Sequence, residues 1–354
     1  MKNDSLNLEE AVHTLLPLLQ QLHRDIRTAV LAACASSQDL AAVAHDGPGD
    51  TIYAVDKVSE ALLVEALRPI AARWPLRLVA EGLQSEGAEG SLVLPLGTDR
   101  KPVLRVIVDP IDGTRGLMYQ KRPAWVLTGV ALEGNGTRTP TLDDVFLAVQ
   151  TELPLLKQHL CDDLWATRMH GKLAFGASRF NLLSQQSQPL RPAPSRATTL
   201  LHGFATVCRF FPGARDLLGT FDERLMHEVL GAPQAGKALS FEDQYASTGG
   251  QLYELIMGHD RFIADLRPLL IEQMQQRHQP LPLCCHPYDV CTALIAEAAG
   301  VVLTDAKGGP LNPPLDVDHD VAWVGYASPA LHAKVAPLVN KVLLDMAWLP
   351  GDAA

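Results

Sequence analysis

Two aspartates, a glycine and a hydroxyl fall together in Asp109-Pro110-Ile111-Asp112-Gly113-Thr114, directly after the apolar stretch Val103-Leu104-Arg105-Val106-Ile107-Val108. A buried strand that runs into a helix start would place both carboxylates where the chain turns. Carboxylate oxygens are the hard ligands that Mg²⁺ takes, Gly113 lets main chain approach a bound group closely, and the N–H groups of the following turn favour an anion. The run therefore predicts a metal-bound phosphate, with cation and substrate held by one short segment.

Three further acids stand at the ends of apolar runs. Asp56 follows Ile52-Tyr53-Ala54-Val55, Glu81 follows Leu78-Val79-Ala80 and precedes Gly82, and Asp289 lies in Tyr288-Asp289-Val290-Cys291-Thr292-Ala293, which leads into Glu297-Ala298-Ala299-Gly300. The plainer reading makes each of them a separate cap or surface charge, and Asp56 in particular fits an N-cap.

The order and spacing of these four segments resemble the signatures of the inositol monophosphatase family, the magnesium-dependent, lithium-sensitive phosphatases that include related sugar-phosphate and 3′-nucleotide phosphatases. The resemblance runs from about Gly49 to Gly309. It implies a mixed α and β fold, the layered α-β-α-β-α sandwich of the sugar phosphatases. It also implies that Asp109 bridges two Mg²⁺ ions, that Glu81 and the Ile111 carbonyl bind the first, and that Asp112 and Asp289 bind the second, with a third, weaker position nearby. Thr114 and Asp56 match the pair that orients the nucleophilic water, and the main chain of Gly113 and Thr114 would hold the phosphate. Physical chemistry agrees, because carboxylates converging on a small cavity repel one another and raise their own pKa values unless cations neutralise them.

The sequence departs from the family pattern at Gly82, where many relatives carry a second acid, and Glu86 lies too far along to replace it. Substrate selection in the family comes largely from the C-terminal half. Ala246-Ser247-Thr248-Gly249-Gly250 resembles its small-residue segment, so Ser247 and Thr248 are expected substrate contacts. Asp265 stands one position from the acid that contacts ring hydroxyls, ahead of an extra stretch at 266–282. Arg115, Lys121 and Arg122 would add positive charge near the phosphate, or else form a solvated helix end. Cys284-Cys285-His286 with Cys291 lacks the spacing of a usual zinc site. Trp125 and Phe210-Phe211 are expected in the core.

The elements that must position these groups follow from periodicity. Apolar residues at helical spacing predict a long amphipathic helix over 8–34 and a second from Asp56 to the break at Trp74-Pro75. Strands are predicted over 76–80, 103–108, 125–132, 145–150 and 164–167, as one substantial sheet, with Asn135-Gly136 as a hairpin turn. The Gln-, Ser- and Pro-rich segment 184–199 reads as a surface loop between an N-terminal half, 1–183, and a C-terminal half, 200–354. Beyond it come an apolar run at 204–207, helices near 214–230 and 245–257, a strand at 261–264, a helix opened by Asp289 and a helical tail over 330–348.

Composition bounds the rest. A chain of 354 residues with 47% hydrophobic content fits a globular enzyme. A formal charge of −10 argues against nonspecific nucleic-acid binding. Six cysteines without a regular framework predict reduced thiols and a cytoplasmic protein, and no apolar stretch has the length of a membrane span. The expected activity is metal-dependent hydrolysis of a small phosphorylated polyol, sugar or nucleotide, with a homodimer as the family's usual state. The competing reading is a catalytically weak relative that binds metal or phosphorylated ligand and acts through a protein partner.

Overall fold

The computed structural model describes residues 6–349 apart from 37–42, 47–50, 54–55, 82, 84–89 and 135–137, with main chain alone at 43–46, 51–53 and 56–61. Gly82, Glu86 and the expected turn at Asn135-Gly136 lie outside the described residues, as does the side chain of Asp56.

The first layer is helical. α1 (Leu8–Ser36) buries the stripe Val12, Leu15, Leu19, Leu22, Ile26 and Val30, and α2 (Asp56–Arg73) starts and stops where the sequence predicts. A short antiparallel pair, β1 (Val43–Asp46) and β2 (Thr51–Tyr53), lies between them in the chain. Both helices pack on an eight-stranded sheet whose spatial order is β10-β9-β8-β7-β6-β5-β3-β4. Its strands are β3 (Leu76–Ala80), β4 (Ser91–Leu94), β5 (Leu104–Asp112), β6 (Ala124–Leu132), β7 (Val145–Leu153), β8 (Leu160–Met169), β9 (Lys172–Asn181) and β10 (Gln186–Pro189). All five strands expected over 76–167 fall in this one sheet. The segment 184–199, expected as a surface loop, is free of helix and strand over 190–199 but supplies edge strand β10 at Gln186–Pro189, which pairs with β9; its Gln and Ser residues suit a fully exposed edge.

The other face of that sheet meets α5 (Thr248–Met257) and α7 (Ala293–Ala299), which lie beneath a second sheet of order β11-β12-β14-β13. Here β11 (Phe204–Val207) runs parallel to β12 (Asp260–Asp265), and β14 (Trp323–Tyr326) pairs antiparallel with β12 and β13 (Val302–Asp305). The last layer is α4 (Arg215–Leu230) and α8 (Pro329–Asp345), which bury Leu218, Phe221, Leu331 and Val335 on the outer face of the second sheet. The result is the expected α-β-α-β-α sandwich. Two short helices complete it, α3 (Thr114–Met118) after the signature and α6 (Ile271–Gln276) in the extra stretch, which docks on α4 through the Arg277–Asp216 ion pair. The helix expected to open at Asp289 starts at Ala293; Asp289 sits in a preceding turn, where its N–H donates to the His286 carbonyl.

α1 is fastened to the sheet by a buried polar contact. His23, fully enclosed, lies 2.8 Å from Thr128 Oγ1 on β6 and 3.1 Å from Thr151 Oγ1 on β7. Burial, then Arg27 and Arg24, push its pKa down from 6.5 to about 3. Between those values the unfolded chain binds a proton that the folded chain does not, so His23 makes stability fall as pH drops, by about 1.4 kcal/mol per pH unit. Denaturant unfolding of the wild type and a His23→Gln variant between pH 7 and 4 should show a shallower acid loss in the variant; parallel curves would contradict the assignment.

Candidate active site

Asp109 and Asp112 are three residues apart on β5, a spacing that would send them to opposite faces of a regular strand. The register with β6 slips between them: Asp109 pairs with Leu127 and Asp112 with Trp125. Three residues on one strand thus span two on the other, and this bulge turns both carboxylates to the face beneath α5. Pro110, which has no N–H to offer the ladder, sits inside the irregularity. β3 runs parallel to β5 with Ala80 beside Val108, so Glu81 leaves its strand next to Asp109.

Asp289 completes the group. One oxygen from each of Asp109, Asp112 and Asp289 lies within 4.8 Å of the others. Among the described residues no lysine or arginine pairs with any of the three. Asp109 Oδ1 accepts from the Ile111 N–H at 3.0 Å, and Asp289 Oδ2 from the His286 N–H at 2.6 Å. Burial, reinforced by Asp112, Asp289 and Glu81, raises the pKa of Asp109 well above the carboxylate range. Burial, with Asp112 and Glu81, does the same for Asp289. Asp112 is pushed by burial to about 6, against the pull of Ser247 and the N–H groups that follow it. Hard oxygen ligands, two buried and Asp289 half-buried, with no lysine or arginine paired to them and His286 Nδ1 3.9 Å from Asp289 Oδ2, fit a divalent cation. The Cys284-Cys285-His286 run forms no such group; all six cysteines are buried and unbridged.

The remaining expected residues are placed as follows. Thr114 Oγ1 donates to the Ile111 carbonyl at 2.7 Å, at the start of α3. Gly113 has φ 92°, a left-handed conformation suited to glycine, and a Cβ there would lie 2.9 Å from Ser247 Cβ. The Ser247 hydroxyl and the Thr248 N–H donate to Asp112, the Thr248 hydroxyl is directed to Cys285 Sγ, and Asp265 is fully buried with both oxygens bound by Arg267. Arg115 lies over the Phe211 ring and Arg122 pairs with Asp243. Trp125 is core, whereas Phe210 and Phe211 are half-buried beneath the Arg267 guanidinium.

Gln150 was not anticipated as part of the site. Fully buried on β7, it donates to the Gly249 carbonyl at 2.8 Å and accepts from Thr292 Oγ1 at 3.0 Å, so it ties the start of α5 to the turn that carries Asp289. An amide directly after the apolar run Val145-Phe146-Leu147-Ala148-Val149 is the sequence signal that marks it.

No protein-family model matches the chain, and no curated protein sequence matches it either. Solved structures do. Fructose-1,6-bisphosphatase from Leishmania major superimposes with a TM-score of 0.64 at 12% identity, over 92% of this chain and 93% of that one. An inositol monophosphatase from Thermotoga maritima gives 0.59 at 17% identity over 94% and 98%, and the extragenic suppressor protein suhB from Bartonella henselae 0.59 at 15% over 92% and 98%. The chain therefore has the fold of the inositol monophosphatase and fructose-1,6-bisphosphatase structures.

Without cations, three ionised carboxylates this close repel by on the order of 4 kcal/mol per pair at an effective dielectric constant of about 20. Their raised pKa values mean that the folded chain holds protons the unfolded chain releases, so this part of the stability is present at low pH and lost as pH rises, for Asp112 between 3.8 and about 6. In chelator, Asp109→Asn should therefore melt above the wild type at pH 7 to 8, and the gap should close toward pH 4. Identical melting curves across that range would contradict the charge cluster.

Proposed function

We propose that the chain is a divalent-cation-dependent phosphomonoesterase that hydrolyses a small phosphorylated polyol, sugar or nucleotide. The observation that carries this reading is the group of buried Asp109 and Asp112 with half-buried Asp289, ligand oxygens within 4.8 Å, on a fold that solved phosphatases share. Glu81, Asp109 and the Ile111 carbonyl would hold one Mg²⁺, and Asp109, Asp112 and Asp289 a second. When bound, such ions supply Lewis-acid stabilisation of phosphoryl charge and a water of lowered pKa.

The protein's own groups supply the positioning. Thr114, its hydroxyl 2.7 Å from the Ile111 carbonyl, works with Asp56 to orient the attacking water. The main chain of Gly113 and Thr114 holds the phosphate at the turn after β5, and the strand ends fix these groups relative to one another.

A screen of phosphate monoesters with and without Mg²⁺ is the first test. Turnover that requires Mg²⁺ and is abolished in Asp109→Asn is expected; wild-type turnover in that variant would remove the site. Cation uptake without turnover of any ester would favour a binding protein instead. Thr114→Ala should slow kcat by about 10²–10⁴-fold and weaken cation binding far less. Li⁺, hard but of half the charge of Mg²⁺, should inhibit at constant ionic strength where Na⁺ does not; equal effects would count against the second cation position.

A further inference from the structure

Asp112 is the most heavily engaged carboxylate of the group, and its partners all come from one place. Oδ2 accepts from the Ser247 hydroxyl at 2.7 Å and from the Gly249 N–H at 2.6 Å, while among the described residues Oδ1 accepts from the Thr248 N–H alone, at 3.2 Å. Ser247 is also the N-cap of α5, and its Oγ accepts from the Gly250 N–H at 2.9 Å. An ionised carboxylate can only accept, so the Ser247 hydroxyl hydrogen points to Asp112 while its oxygen takes the Gly250 N–H.

Two glycines make the contact possible from either side. A Cβ on Gly113 would lie 2.9 Å from Ser247 Cβ, and a Cβ on Gly249 would lie 2.9 Å from Asp112 Oδ2 and 2.5 Å from Leu127 Cδ2. Ser247 is itself only 3% exposed, so its side chain has no room to turn away. We propose that Ser247 is a positioning residue: its hydroxyl and the Gly249 N–H grip Oδ2 of Asp112, which leaves the less engaged Oδ1 to face a cation shared with Asp109 and Asp289. This rests on the divalent-cation reading above, and it moves Ser247 from a contact of the substrate to a support of the cation site. Groups that orient a ligating carboxylate typically set metal affinity by about 10–100-fold.

The test separates this role from helix capping. Glycine replaces serine at an N-cap at far smaller cost than alanine, so Ser247→Gly removes the hydroxyl and largely spares α5, whereas Ser247→Ala loses both. Mn²⁺ binding is titrated by calorimetry in both variants, the wild type and Asp109→Asn, alongside thermal melts in chelator. Both Ser247 variants should bind Mn²⁺ at least tenfold more weakly than the wild type, with a lowered melting temperature in the alanine variant alone. Wild-type isotherms in both variants, with only the alanine variant less stable, would overturn the positioning role. If Asp109→Asn binds Mn²⁺ like the wild type, or the wild type binds none, the cation reading itself falls and takes the proposal with it.

Discussion

The structure is organised around like charges forced into one buried place. Asp109, Asp112 and Asp289 sit within contact of a single ion with no lysine or arginine paired to them among the described residues and with the His286 ring 3.9 Å from Asp289 Oδ2, and repulsion of that size is comparable to the whole stability of a domain. Nothing in folding alone favours such a group. The features near it make sense as devices that hold the carboxylates in place against their repulsion. They include the bulge at Pro110-Ile111, the glycines that let α5 approach, the Ser247 cap and the Gln150 bridge.

Rigid elements carry the arrangement. Asp112, Trp125 and Glu152 stand opposite one another on β5, β6 and β7, so the site continues a row of the sheet and does not rest on a free loop. α5 is fixed along its length, with its first residues on Asp112 and its Tyr253 hydroxyl donating to Asp162 on β8 at 2.6 Å. Tyr253 also packs on Trp125, with ring centroids 4.6 Å apart. Sites built on strands and helix starts are held more precisely than sites on loops, which suits a chemistry that depends on distances between charges.

Much of this was legible in the sequence, for identifiable reasons. The signature at the end of β5 stood out because a buried strand leaves a nearly continuous apolar run, broken here by Arg105, and α1 because one face alone is apolar. Short strands such as β4, β13 and β14 carry too few residues to show a period, and the exposed β10 lacks an apolar face. The helix boundary at Asp289 was misread because a turn stabilised by His286 precedes α7. The partnership of Ser247 with Asp112 joins residues far apart in the chain and depends on a bulge, which no local pattern encodes. Asp265 looked available as an isolated acid, and only the folded chain pairs it with Arg267.

The central claim is that these carboxylates exist to hold divalent cations. Anomalous scattering from a crystal of the protein grown with Mn²⁺ tests it most directly. The account predicts strong peaks bounded by Asp109, Asp112 and Asp289, with a neighbouring peak by Glu81 and the Ile111 carbonyl. A well-ordered site with no anomalous density between those carboxylates, at Mn²⁺ concentrations that support activity, would contradict it.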